Sequence, residues 1–256
     1  MKRLLILGGT GDAVKLASLA ILLQRGFAND LPELVVITSL AGRTSAPKSL
    51  VGNVRIGGFG GEAGLIAYLQ TERIDLIIDA THPFAAQISQ HVAGAATKVG
   101  IPRLVLIRPE WARLPEDNWI EVKSVAAAVT AIPASAKRIF LTIGRQQLAP
   151  FASLTDKWCL MRSIDPPDLS ISLPPGKLLL DRGPFSLAAE RELLREYRIQ
   201  AIVSKNSGGD DTYAKIIAAR ELGLPVIIVQ RPIVPEGEIV RDVAGAIEWL
   251  LDAIGR

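Results

Sequence analysis

The apolar, β-branched run Ile74-Asp75-Leu76-Ile77-Ile78 ends in Asp79-Ala80-Thr81-His82-Pro83-Phe84-Ala85, which brings a carboxylate, a hydroxyl and an imidazole close together in the chain. An imidazole titrates near neutrality and suits proton transfer; Asp79 and Thr81 would orient it or border a ligand. A loop braced by its own polar residues would look the same. The other histidine, His91, falls within the following helix and reads as packing or surface. A second such edge lies at the N-terminus, where Arg3-Leu4-Leu5-Ile6-Leu7 runs into Gly8-Gly9-Thr10-Gly11-Asp12. Glycines there let backbone N–H groups approach a pyrophosphate, and the start of a helix adds a favourable dipole. The dinucleotide fingerprint is incomplete, because with Gly9 and Gly11 as its first two glycines Val14 stands in place of the third. A tight strand-to-helix turn without a ligand is the plainer reading.

The acid that would grip the ribose hydroxyls of NAD at the end of the second strand is absent. Ser39-Leu40-Ala41-Gly42-Arg43-Thr44 follows instead. Guanidinium and hydroxyl groups suit a 2′-phosphate through charge-assisted bonds, which points to NADPH rather than NADH. Lys48 could share that role, and a solvated loop cation is the alternative for Arg43. In Gly57-Gly58-Phe59-Gly60-Gly61, Gly58 and Gly60 allow close approach of a ligand, or supply left-handed backbone angles. Further along, Thr142-Ile143-Gly144-Arg145, Asp181-Arg182-Gly183-Pro184-Phe185 and Ser204-Lys205-Asn206-Ser207-Gly208-Gly209-Asp210 each follow an apolar run. Arg145, Arg182, Lys205 and Ser207 would then converge on anionic groups, the last loop resembling a nest of backbone N–H donors; surface ion pairs would explain each arginine singly. Hydride transfer needs no protein nucleophile, since a cofactor supplies the chemistry. A Tyr-x-x-x-Lys pair is missing, for Tyr68, Tyr197 and Tyr213 are followed four residues later by Glu72, Ala201 and Ile217.

Parallel strands must carry these loops. Apolar runs alternate with helix-period stretches, the signature of βαβ units. Strands are predicted at Arg3–Leu7, Leu34–Ser39, Asn53–Ile56, Ile74–Asp79 and Arg103–Ile107, a five-stranded layout, with helices over Ala13–Gln24, Glu62–Gln70 and Phe84–Val99. Arg108–Asn118 breaks the rhythm and reads as the inter-domain connection. Beyond it come a helix near Val122–Ala131, strands at Arg138–Thr142, Trp158–Arg162, Lys177–Leu180, Ala201–Ser204 and Val226–Val229, and helices at Ser186–Tyr197, Thr212–Leu222 and Ala244–Ile254. The expected fold is α/β, with two Rossmann-like parallel-sheet domains flanking a cleft. Residues 1–113 would form the NADPH-binding domain and 114–256 the substrate-binding one.

Composition narrows the function classes. A hydrophobic fraction of 49% with few aromatics suits parallel sheets covered by helices. No stretch offers the ~18 apolar residues of a membrane span. A single cysteine excludes an internal disulfide and, with only two histidines, argues against a metal site. Together these predict a cytoplasmic protein. The net charge of +3 comes without basic runs, which disfavours nucleic acid and leaves an anionic cofactor or a polyacidic substrate.

The Gly8–Asp12, Ser39–Thr44, Arg55–Gly61, Asp79–Ala85 and Ser204–Gly209 blocks, together with matching stretches from residue 3 to residue 232, resemble the precorrin-6A reductase family of cobalamin biosynthesis (CobK/CbiJ). The resemblance implies an oxidoreductase that uses NADPH to reduce one carbon–carbon double bond of precorrin-6A, a tetrapyrrole polycarboxylate, to precorrin-6B. It implies that Gly9, Thr10, Gly11 and Asp12 hold the pyrophosphate, that Ser39, Arg43 and Thr44 hold the adenosine phosphate, and that Asp79, Thr81 and His82 border the nicotinamide. Arg145, Arg182, Lys205 and Ser207 would meet substrate carboxylates, and the product would pass to neighbouring pathway enzymes. Gly11-Asp12, where many cobalt-pathway relatives have Ser-Glu, points to the metal-free substrate over cobalt-precorrin-6A. A reductase or epimerase acting on another anion, and a nucleotide-binding sensor, are the competing readings.

Overall fold

The computed structural model describes residues 1–26, 33–42 and 51–255. The chain divides into two compact units, one formed by Met1–Arg108 together with Pro232–Arg256 and the other by Pro109–Arg231.

In the first unit the chain forms β1 (Lys2–Leu7), α1 (Gly11–Gly26), β2 (Leu34–Leu40), β3 (Asn53–Ile56), α2 (Gly61–Thr71), β4 (Leu76–Asp79), α3 (Ala86–Val99) and β5 (Arg103–Leu106). Every pairing among these strands is parallel. The unbroken apolar run of β1 follows from burial on both faces. Leu4 and Ile6 pack with Leu16, Ala17 and Ala20 of α1, whereas Leu5 and Leu7 pack with Leu65 and Leu69 of α2 and Val92 and Ala95 of α3. Successive strand residues point to opposite faces, so both layers need apolar side chains.

The second unit contains β6 (Trp119–Val122), α4 (Val125–Ala131), β7 (Arg138–Thr142), β8 (Trp158–Ser163), β9 (Gly176–Leu180), α5 (Leu187–Glu196), β10 (Ala201–Lys205), α6 (Ala214–Glu221) and β11 (Val226–Val229). Its sheet order is β6-β11-β10-β7-β8-β9. The predicted helix at Val122–Ala131 is shorter. Val122 ends β6, and Ser124 caps α4 by accepting the Ala127 N–H at 3.1 Å.

The chain then returns to the first unit as β12 (Glu238–Val240) and α7 (Val243–Gly255). β12 lies parallel to β5, with Glu238 opposite Leu104 and Val240 opposite Leu106. The first sheet therefore has six strands, in the order β12-β5-β4-β1-β2-β3. Ala246, Leu250 and Ile254 of α7 join the core on the α1 face. Fully burying a leucine or isoleucine side chain contributes roughly 1.5–3 kcal/mol, so α7 has ample reason to cover this face. These contacts move the expected division at 113/114. The first unit ends at Arg108, the chain re-enters it at Pro232, and the single connection predicted over Arg108–Asn118 becomes two crossings, with Trp111–Asn118 inside the second unit. Among the described residues no helix is long and apolar enough to cross a membrane.

Candidate active site

Because both sheets are parallel, each collects its strand-end loops along one carboxyl edge. In the first unit β1 lies between β2 and β4, so the glycine turn leaves the sheet beside the Asp79 segment. Gly8 packs tightly, since a Cβ there would come 3.2 Å from the Leu40 side chain and 3.3 Å from that of Thr38. Gly9 is different. Its φ of +114° is one that side chains disfavour, and among the described residues nothing lies within 4 Å of where its Cβ would stand. That open position, just ahead of the N-terminus of α1, can accept a phosphate.

Thr10 does other work. Its hydroxyl accepts the Ala13 N–H at 3.1 Å and donates to the Ala80 carbonyl at 2.8 Å, which caps α1 and ties the turn to the end of β4. Asp12 pairs with Arg108 at 3.3 Å. In this turn, then, the side chains of Thr10 and Asp12 are engaged, and the open position is at the Gly9 backbone.

At the end of β2, Ser39 is buried, and its Oγ accepts from Arg55 at 3.3 Å. Arg55 also donates to the carbonyls of Gly57 at 2.5 Å and Gly58 at 2.7 Å, and its guanidinium lies 3.9 Å from the centre of the Phe59 ring. The glycine-rich turn thus wraps around an arginine. Left-handed angles at Gly57, Gly60 and Gly61 explain three of its glycines; Gly58 lacks that requirement, and its Cβ position is open among the described residues. Arg55 is a site candidate that sequence reasoning passed over, although its place at the end of a strand just before the glycines was a usable signal. Arg43, Thr44 and Lys48 lie outside the described residues.

Asp79, at the end of β4, is buried. Its Oδ1 accepts the Thr81 N–H at 3.1 Å and the Thr81 hydroxyl at 2.7 Å, a local turn of the kind aspartate favours. The Thr81 hydroxyl also lies 3.4 Å from that of Ser89. His82 Nδ1 accepts the Phe84 N–H at 3.2 Å, so the neutral ring carries its proton on Nε2. Asp79, Thr81, His82, Ser89, Leu106 and Pro235 help to line a cavity of about 20 Å³.

In the second unit β10 and β7 are neighbours, which brings the loops bearing Lys205 and Arg145 to adjacent strand ends. Arg182 follows β9, two strands from β7 at the edge of the sheet. Arg145 donates to the Pro166 carbonyl at 2.8 Å. Lys205 is largely enclosed, and burial pushes its ammonium down to about 8. Ser207 Oγ lies 3.5 Å from the Lys205 carbonyl. Asn206, read as part of the nest, is a brace. Its amide accepts the Trp111 N–H at 2.8 Å and donates to the Trp111 carbonyl at 3.3 Å. Arg231 donates to the carbonyls of Asn206 at 2.8 Å, Ser207 at 2.9 Å and Pro109 at 3.1 Å. The sequence carries no sign of either role, since both partners are remote in the chain.

Beneath these loops Arg162 grips Glu190 through two bonds of 2.5 and 3.2 Å, with the Phe185 ring 3.7 Å from its guanidinium. Lys215 donates to the Thr212 carbonyl at 2.7 Å, and burial, reinforced by Arg162, pushes it down to about 7. This cluster holds the edge from below.

A family model described as Precorrin-6x reductase CbiJ/CobK matches residues 3–251. The chain belongs to that family. A precorrin-6A reductase from Rhodococcus erythropolis is 50% identical over 98% of both chains, and one from Rhodobacter capsulatus is 43% identical over 98% of this chain and 97% of its own. A solved structure titled CobK precorrin-6A reductase superposes with a TM-score of 0.89 at 42% identity, covering 99% of this chain and 97% of the other. The two parallel sheets are thus the fold of the CbiJ/CobK family, and the chain is an oxidoreductase of cobalamin biosynthesis. A reductase of this family draws its hydride from a nicotinamide cofactor.

Proposed function

We propose that the protein reduces precorrin-6A to precorrin-6B with NADPH, the first unit holding the cofactor and the second the substrate. The carrying observation is the β1–β4 pairing, which sets the open Gly9 turn beside Asp79, Thr81 and His82. Dinucleotides bind where strand order reverses, with the pyrophosphate at the first helix. The residues fit the cofactor. Gly9 and Gly11 would admit the pyrophosphate to the N-terminus of α1, with Thr10 and Asp12 shaping the turn. Gly58 and Gly60 would border the adenosine half. NADPH is favoured over NADH because β2 ends in Ser39 and Leu40, with Arg55 beside Ser39, and no acid stands there.

In the second unit Lys205, Ser207, Arg145 and Arg182 would meet the carboxylates of the macrocycle. A proton must also reach the carbon next to the one that takes the hydride. Lys205, held near 8, is suited to give it, and so is His82 in its imidazolium form, which would first release the Phe84 N–H from Nδ1. The metal-free substrate is favoured by identity, since a cobalt-precorrin-6A reductase from Priestia megaterium is 28% identical, against 50% for the Rhodococcus relative.

The test is incubation with NADPH and a precorrin-6A-generating system, followed at the cofactor's absorbance. Oxidation of NADPH that depends on precorrin-6A supports the reading, and oxidation with cobalt-precorrin-6A alone overturns the choice of substrate. For the cofactor, Arg43→Ala should weaken NADPH binding roughly ten- to a hundredfold, the value of charge-assisted phosphate bonds, and leave NADH binding nearly unchanged. Equal losses for both would remove Arg43 from the phosphate site.

A further inference from the structure

The carboxylate of Asp79 is only half engaged. The residue is 1% exposed, and while Thr81 supplies two donors to Oδ1, the buried Oδ2 has no donor among the described residues. A buried acceptor without a partner costs free energy, more so when charged. Arg103 senses Asp79 electrostatically, but it sits two residues before Val105, the register partner of Asp79, and donates through Nη2 to the Glu236 carbonyl. Its Nη1 has no acceptor among the described residues, so the two groups do not close on each other.

We propose that Asp79 Oδ2 accepts a hydrogen bond from the carboxamide amine of the nicotinamide and so fixes which face of the ring points toward the substrate. The proposal rests on the dinucleotide reading above. The cavity that Asp79 lines, with Thr81, His82 and Ser89, measures about 20 Å³. That is room for one water-sized group. A primary amide NH₂ has that size and is a donor, which is the complement of a carboxylate oxygen. The position agrees as well, for the end of β4 lies next to β1 on the side away from β2, where the nicotinamide half of a dinucleotide falls. Asp79 is on this account a positioning residue that touches the cofactor.

The experiment compares equilibrium binding of NADP⁺ and of its 3-acetylpyridine analogue, whose methyl ketone keeps the carbonyl but lacks the N–H donors. The wild-type protein should prefer NADP⁺ by roughly ten- to a hundredfold, the worth of a hydrogen bond to a charged group. In Asp79→Asn the Thr81 donors hold Oδ1 in place and leave an NH₂ where the acceptor was, so the preference should vanish. A wild type that binds both alike, or a variant that keeps the preference, overturns the proposal. Failure of the wild type to bind NADP⁺ or NADPH at all overturns the dinucleotide reading and this one with it. A crystal structure of the wild type with NADP⁺ decides the matter even if the variant does not fold. The carboxamide nitrogen within hydrogen-bond distance of Oδ2 supports the contact, and a water on Oδ2 with the carboxamide elsewhere refutes it.

Discussion

Replacing Lys205 with methionine should lower kcat/KM by about a hundred- to ten-thousandfold, the range for loss of a general acid, and leave NADPH affinity nearly unchanged. Lys205 ends β10, and burial lowers its pKa to about 8. Such an ammonium can bind a carboxylate and can also release its proton close to working pH. The sign of the pH effect follows from the depressed value. Lys205 is charged below about 8 and neutral above it, so a step that needs the ammonium slows as pH rises through that point. Arginine separates the two roles, because it keeps the charge and does not titrate in this range. If Lys205 only binds carboxylates, Lys205→Arg restores much of the activity and removes the alkaline limb. If it gives the proton, Lys205→Arg restores substrate affinity but not turnover, and His82 is released from that duty. A large loss of NADPH affinity in Lys205→Met would instead place the loop in the cofactor site.

Glu190→Ala should destabilise the protein by about 3–5 kcal/mol, because it leaves a buried guanidinium without its counter-ion. The side chains of Arg162 and Glu190 are 6% and 1% exposed, so water cannot substitute for the lost carboxylate. The double replacement Arg162→Met with Glu190→Leu removes both charges and should come much closer to wild-type stability. Urea-induced unfolding of the three proteins measures this, and a double variant as unstable as the single one would show that packing, not charge, sets the cost. Lys215 adds a pH dependence. Burial holds it at about 7, against an ordinary 10.5, so between these values the unfolded chain binds a proton that the native state does not. The contribution of this group to stability therefore improves as pH rises across that window.

The amino-acid sequence by itself determined the α/β class, ten of the strands, the glycine turn at Gly8–Asp12, the polar edge at Asp79–His82 and the family. These features are local. An apolar run long enough to be buried on both faces, or a glycine where a strand must turn into a helix, announces itself within a few residues. The tertiary structure alone decided the rest. The strands β6 and β12 have only four and three residues and lie at sheet edges; they exist because β11 and β5 offer a row of unpaired backbone groups, and β12 finds its partner across the whole second unit. That pairing also decided where the units divide. In the same way Thr10 became a helix cap, Asn206 a brace for Trp111, Arg55 the centre of a glycine turn and Arg162 a buried partner of Glu190. A side chain's type states which bonds it can make, whereas its choice among them depends on which groups the fold brings within about 3 Å, and for these residues that is settled by strands and helices far away in the chain.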